Sequence, residues 1–224
     1  MIAAATAKRD ATLDLASFFA ALGRDAAGGD GPAGLLDEDA IARVVERARA
    51  GDAGARQTLY LQHVDRVFRT VRGMLRSDAD AEDVTQDAML AVLTSLHTYR
   101  PRAGVRFAAW VTTIAANTAR RRFRRRRPEL TTTGELPEIA DEPVDPGDDI
   151  DRARRRRALL VALAELSDRE REIVSLRYGA ELDASEIGAS LGLQPAAIRK
   201  TLERARTRLA ARIDTLMTPD RGPT

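Results

Sequence analysis

The sequence predicts an all-α protein of two small helical domains joined by an acidic linker. Three observations carry that expectation. Apolar residues recur at helical spacing through most of the chain, breaks fall at Gly, Pro and capping residues, and no pair of alternating segments suggests strand pairing. Ala is abundant and Pro is scarce inside the periodic stretches, which favours helix. Hydrophobic residues make up 44% of the 224 residues but aromatics only 4%, so Leu, Val, Ile and Ala must fill the cores.

Residues 1–36 form a weak N-terminal extension. Leu13, Leu15, Phe18, Phe19 and Leu22 can make a short amphipathic helix, and AAGGDGPAG after it has linker composition. No function is legible there. The periodic region 37–127 follows. Ile41, Val44, Val45 and Ala48 mark one helix face, ended by Gly51. Leu59, Leu61, Val64, Val67, Phe68, Val71 and Leu75 mark a longer helix. Ser77 and Asp78 offer caps, and Asp80, Glu82 and Asp83 load the next helix start with the negative charge that its dipole favours. Val84, Ala88, Ala91, Val92 and Ser95 continue that helix. Pro101 and Gly104 break the chain before a further helix that begins near Phe107 and runs into an Arg cluster.

Residues 128–157 read as a linker. The stretch 128–151 holds nine acids and no base, several prolines and no sustained period, and RARRRR follows at 152–157. The second helical domain spans 158–217, with a tail at 218–224. Ser167 with Glu170 and Asp183 with Glu186 are capping boxes. Gly192 stops one helix, and Pro195 opens the next where its missing N–H costs nothing. Ile187 and Leu191 inward, a turn at Gly192–Leu193–Gln194, then Ile198 and Leu202 inward make a helix-turn-helix. Its second helix suits a major groove, and Arg199, Lys200, Glu203 and Arg204 are its early outward residues. Arg pairs bidentately with guanine, and Lys or Arg holds phosphate. A plain helical hairpin with a solvated basic face would show the same spacing.

Charge and composition exclude several functions. The formal net charge is only +2, but nearly every cation is Arg, with Lys8 and Lys200 the two lysines. Arg suits phosphate and base edges, although a GC-rich genome would write the same bias. The absence of cysteine removes disulfides, thiolate metal sites and Cys nucleophiles. No apolar run approaches the ~20 residues that span a bilayer, and charges break the N-terminal apolar run, so a cytoplasmic location without membrane insertion is expected. Asp78, Asp80 and Glu82 mimic the start of a calcium loop, but Asp83 and Met89 stand where Gly and Glu are needed. No metal, cofactor or catalytic residue is expected.

The block DADAEDVTQDAMLAVLTSLHTYRP followed by FAAWVTTIAANTARRRFRRRR resembles region 2 of the extracytoplasmic-function sigma factors. That family writes roughly D-A-E-D-x-x-Q-E/D-x-F and then W-x-x-x-I-A-x-N. Here Asp80, Ala81, Glu82, Asp83, Gln86 and Asp87 supply the first pattern, and Trp110, Ile114, Ala115 and Asn117 the second. LSDREREIVSLRY with EIGASLGLQPAAIRKTLERARTRL resembles region 4, in the expected order. Met89 stands where the family has Phe, a swap that Met tolerates well. Ala197–Ile198 replaces Thr–Val at the head of the recognition helix.

The resemblance implies a sigma factor that binds RNA polymerase core and directs promoter recognition, DNA melting and initiation. It implies docking on the β′ clamp helices through Asp80, Asp83, Gln86, Asp87 and Leu90, and contact of region 4 with the β flap. It implies −10 recognition as a single strand by Tyr99, Arg100, Phe107, Trp110, Asn117, Arg120, Arg121 and Arg124. Arg199, Lys200, Glu203 and Arg204 would read the −35 element as duplex. An anti-sigma factor is a further implied partner. Read from the residues alone, Trp110 also fits core packing, and Asn117 also fits an ordinary polar surface. Two other functions remain open at this point: a helix-turn-helix regulator that acts without core, and a metal-dependent nuclease.

Overall fold

The computed structural model describes residues 15–20, 22, 36–75, 77–102, 104–130 and 150–218, with side chains outside 125–130 and 150–152. The acidic stretch 131–149, most of the N-terminal extension and the tail beyond 218 lie outside the described residues. Among the described residues every regular element is helical, and one isolated bridge joins Arg102 to Val105.

The first lobe is a bundle of α2 (Glu38–Arg49), α3 (Ala53–Met74), α4 (Asp78–Ser95) and α5 (Phe107–Leu130), preceded by the short α1 (Leu15–Ala20). Each start is set by a side-chain acceptor. The Asp37 carboxylate accepts from Ala40 N at 2.7 Å, Asp52 from Ala55 N at 3.0 Å and Ser77 Oγ from Asp80 N at 3.2 Å. The start of α5 is satisfied from another helix: Phe107 N donates to Glu38 Oε2 at 3.1 Å. The apolar faces expected for these helices converge, with Ile41, Val45, Leu59, Val67, Val71, Val84, Ala88 and Val92 all buried. Leu61 departs from that expectation and is 46% exposed. It follows the buried Leu59 by two residues, about 200° around α3, and so turns away from the core side that Leu59 occupies. Met89, in the position where the family has Phe, is fully buried and fills core.

The second lobe packs α6 (Ile150–Ala164), α7 (Asp168–Val174), a π-helical turn (Ser175–Gly179), α8 (Ala184–Leu191) and α9 (Pro195–Met217). Both expected capping boxes form, at Ser167/Glu170 and Asp183/Glu186. Gly192 closes α8 at φ +66°, a left-handed conformation that suits glycine. The Arg run expected in the linker is instead the first half of α6. Arg is a good helix former, and this turn is continuous with the buried Ala158, Leu159 and Leu163.

His63 is buried on α3, against the Phe107 ring at 5.2 Å between centroids. Neither ring nitrogen has a hydrogen-bond partner among the described residues. Burial, reinforced by the Arg66 charge, pushes its pKa down to about 4. The unfolded chain therefore takes up this proton first as pH falls. Its contribution to stability is complete above about 6.5 and is lost progressively between about 6.5 and 4. That loss is on the order of 3 kcal/mol. His63→Leu keeps the site apolar and is expected to flatten the pH dependence of urea unfolding across this window. An unchanged slope would show that His63 is not the titrating group.

Candidate nucleic-acid interface

The helix-turn-helix is built on a close approach of α8 to the start of α9. Leu193 N donates to Gly188 O at 2.9 Å, and a Cβ on Gly188 would lie 2.6 Å from Leu193 O. Ile187 and Ile198 are fully buried between the two helices and Leu202 nearly so. This fixes the rotation of α9, and Arg199, Lys200, Glu203 and Arg204 all face solvent, as expected. Ala197 is exposed and Ile198 is core, so the altered pair at the head of the helix places only Ala197 on the outer surface.

The outer face of α5 presents a second basic surface. Ile114, Asn117, Arg120, Arg121 and Arg124 line a concavity of about 420 Å³, within the size range of small-ligand clefts, which start near 300 Å³. Asn117, Arg121 and Arg124 are exposed. Asn117 Oδ1 accepts from Arg120 Nη2, and Arg121 Nη2 donates to Thr118 Oγ1 at 3.3 Å. The amide nitrogen of Asn117 points its donors away from that bond, so a base edge can still meet both polarities of the side chain.

The aromatic residues sort differently. Tyr99 and Phe107 are buried, and Tyr99, Phe107, Trp110 and His63 form one ring cluster with centroids 4.9–5.5 Å apart. Tyr99 and Phe107 are thus withdrawn from contact with a ligand and hold the base of α5 in place. Trp110 is half-buried at the cluster's edge. Arg100 is exposed and donates to His97 O at 2.8 Å.

On α4 the structure divides the acidic residues into two groups. Asp83, Gln86 and Asp87 are exposed, and Leu90 stands 63% exposed beside them. These four make a continuous outward stripe. Asp80 does not belong to it. It is 8% exposed and turned toward α5, where it accepts from Arg122 Nη2 at 3.0 Å. The Asp80 hydrogen bond in turn raises the Arg122 pKa. Asp80 is therefore a tie between α4 and α5, not a docking side chain.

Ion pairs that sequence reading missed join the two lobes. Glu186, almost fully buried, takes Arg106 on both carboxylate oxygens, with Nε at 2.9 Å and Nη2 at 2.8 Å. Burial alone would raise its pKa, but the Arg106 hydrogen bonds and charge, with the Asp183 N–H, hold it below the usual range. Arg120 Nε lies 3.0 Å from Glu172 Oε1, an ion pair without the alignment of a hydrogen bond. Thr113 Oγ1 donates to Ser190 Oγ at 3.0 Å, and Arg66 and Arg69 face Glu181. The capping-box pattern flagged Glu186, but nothing in it marked the partner 80 positions away.

Among the described residues no group of three or more His, Cys, Asp or Glu is placed to hold a metal, and no helix is long and apolar enough to cross a membrane.

Comparison with known proteins agrees with this geometry. Residues 59–129 match the family model for Sigma-70 region 2, and residues 162–211 match Sigma-70, region 4. The chain is 34% identical to the ECF RNA polymerase sigma factor BldN of Streptomyces coelicolor over 81% of its own length and 69% of the relative's. It is 36% identical to the RNA polymerase sigma factor CarQ of Myxococcus xanthus, over 74% and 92% of the two chains. Among solved structures, CnrH in complex with the cytosolic domain of CnrY shares the fold at TM-score 0.56 and 24% identity, over 77% of this chain and 96% of that one. The sigma factor RpoE in complex with the anti-sigma factor NepR from Bartonella quintana gives TM-score 0.56 and 22% identity, over 74% and 98%.

The division of α4 is testable by stability. Asp80→Ala removes a buried, charge-assisted contact and is expected to cost about 1–3 kcal/mol in urea unfolding. Asp83→Ala, at the solvent-facing stripe, is expected to stay within about 0.5 kcal/mol of the parent. Equal effects of the two variants would contradict the division.

Proposed function

The chain belongs to the extracytoplasmic-function sigma factors, non-catalytic subunits that direct RNA polymerase to promoters, and from that premise we propose how its surfaces divide the work. The stripe of Asp83, Gln86, Asp87 and Leu90 on α4 docks on the clamp helices of the polymerase β′ subunit. Its mixture of carboxylates and one exposed Leu suits a basic, partly apolar partner, with the charges steering the encounter. The second lobe meets the β flap. The outward face of α9, with Arg199, Lys200, Glu203 and Arg204, enters the major groove of the −35 element.

The outer face of α5 reads the −10 element after its strands part. One observation carries this reading: Asn117 and three Arg residues surround a single open concavity, while Tyr99 and Phe107 are withdrawn into the core. Taking a base out of the stack costs a few kcal/mol, which contacts available only in the open form must offset. With those two rings unavailable, polar contacts from Asn117 and phosphate contacts from Arg121 and Arg124 do most of that, with Trp110 at the edge. Arg100, exposed at the end of the segment before Pro101, adds a further phosphate contact. The protein acts in the cytoplasm, and an anti-sigma factor is its negative regulator. The likeness of fold to chains solved with such partners supports that last point.

Two experiments test this. Asp83→Arg and Asp87→Arg each reverse a docking charge and are expected to weaken core binding by about tenfold or more while the helical content stays constant. Unchanged co-purification with core would remove the α4 assignment. Asn117→Ala is expected to slow open-complex formation and to blur preference at one −10 position. A premelted promoter should restore part of the opening defect but not the base preference. Permanganate footprinting on duplex and bubble templates reads both. Normal opening with an intact −10 preference would make Asn117 a structural residue.

A further inference from the structure

The N-terminal helix α1 touches both lobes. It packs on α6 and the π-helical turn of the second lobe and on α3 of the first. Leu15, Phe19 and Leu22 are buried, while Ala16, Ser17 and Ala20 face outward. The Phe19 ring stacks on Tyr178 with centroids 5.9 Å apart. This six-residue helix is too short to form by itself, so its apolar side is held by the cleft it fills.

That cleft depends on two glycines in facing lobes. A Cβ on Gly73 of α3 would lie 2.5 Å from Ser175 Oγ and 2.8 Å from Phe19 Cε1. A Cβ on Gly179 of the π-helical turn would lie 2.9 Å from Thr70 Cα and 3.0 Å from Thr70 N. The lobes thus meet backbone to backbone, with Phe19 wedged beside the contact. Around this seam the second lobe lays its acids against α5. Glu186 takes Arg106, the residue before α5, and Glu172 takes Arg120, which lines the basic concavity, so two cations are engaged within the protein.

We propose that α1 is an intramolecular clasp: Phe19, seated between Gly73 of the first lobe and Tyr178 of the second, holds the free chain closed with Arg106 and Arg120 neutralised by Glu186 and Glu172. Opening the clasp releases both cations to nucleic acid. The DNA half of the proposal rests on the reading of α5 given above. The closure half does not.

The absence of cysteine allows two labels to be placed without background. Thr94→Cys on α4 and Thr207→Cys on α9 are exposed positions in different lobes. In the spin-labelled full-length chain, Phe19→Asp is expected to lengthen and broaden the distance distribution. Gly73→Ala should do the same from the opposite side of the seam. It raises helix propensity in α3, so it separates opening from unfolding. Ala20→Asp adds the same charge on the exposed side of α1 and should leave the distribution unchanged. A parental distribution in Gly73→Ala or in a folded Phe19→Asp overturns the clasp, as does equal opening by Ala20→Asp. Binding of a mixed-sequence single-stranded 20-mer is the second readout. The opened variants should bind it several-fold more tightly, with a salt dependence steeper by about one in log Kobs against log salt. Opening with unchanged DNA binding overturns the masking of the two cations. Failure of the α5 reading itself appears separately, as unaltered promoter preference in Asn117→Ala.

Discussion

The buried carboxylate of Glu186 joins two parts of this molecule that depend on it. It closes the capping box that starts α8, accepting from Asp183 N at 2.9 Å, and it takes the Arg106 guanidinium on both oxygens. The first contact positions the helix-turn-helix. The second ties that motif to the residue immediately before α5, the helix with the other basic face. A carboxylate at this depth is tolerated only because every side of it is met by a donor. The relation of the two nucleic-acid surfaces in the closed chain therefore depends on one buried charge and its partner. Because Arg106 keeps 39% of its side chain exposed, the cation can turn to water when the lobes part, which makes the tie reversible rather than a permanent weld.

Much of the fold was legible from local rules. The cap at Ser77, the capping boxes at Ser167 and Asp183 and the stop at Gly192 depend on a few neighbouring residues, so their patterns survive in one dimension. The orientation of α9 was legible for the same reason: Ile198 and Leu202 define inside, and Arg199, Lys200, Glu203 and Arg204 follow outside. What local rules missed has a common physical origin. Asp80 and Asp83 are three residues apart on one helix, yet Asp80 is buried against Arg122 while Asp83 stays exposed beside it, and no periodicity reveals where α5 will lie. Tyr99 and Phe107 read as available for stacking in the sequence, but their rings close on each other, and that of Phe107 also on His63. The run 152–157 follows the acidic stretch and reads as linker, but it is continuous with the apolar residues of α6 and belongs to that helix. Gly73 and Gly179 sit in unremarkable contexts, and their meaning exists only across the seam between lobes.

The helix α5 shows how one element serves packing and recognition without conflict. Its first turns put Phe107, Ala108, Ala109 and Val111 into the core, and Ala115, Ala116 and Ala119 keep it close to its neighbours. The small residues let α5 approach closely, while Arg121 and Arg124 lie exposed on its outer face, where their charge stays hydrated. Arg122 anchors instead: it turns to Asp80 on α4 and fixes the roll of the helix about its axis. With that roll fixed, Asn117, Arg121 and Arg124 necessarily point outward together. The same Asp80 that drops out of the docking stripe thus sets the aim of the surface assigned to the −10 strand.

A comparable economy governs α4. Its inward side carries Ala81, Val84, Ala88, Met89 and Val92, and its first turn is pinned by Asp80. Those contacts leave Asp83, Gln86, Asp87 and Leu90 no partner that would require them to turn inward, apart from a 3.4 Å approach of Arg122 to Asp83. An exposed Leu flanked by carboxylates contributes nothing to the stability of the bundle, whereas on a docking face it supplies apolar area inside a charged rim, the arrangement that protein interfaces favour. The two surfaces of the first lobe are consequently held in fixed relation through the Asp80–Arg122 tie, so a polymerase bound to α4 would receive α5 already oriented. The second lobe has no such rigid link once its seam is released, and the freedom that remains lies between the lobes rather than within them.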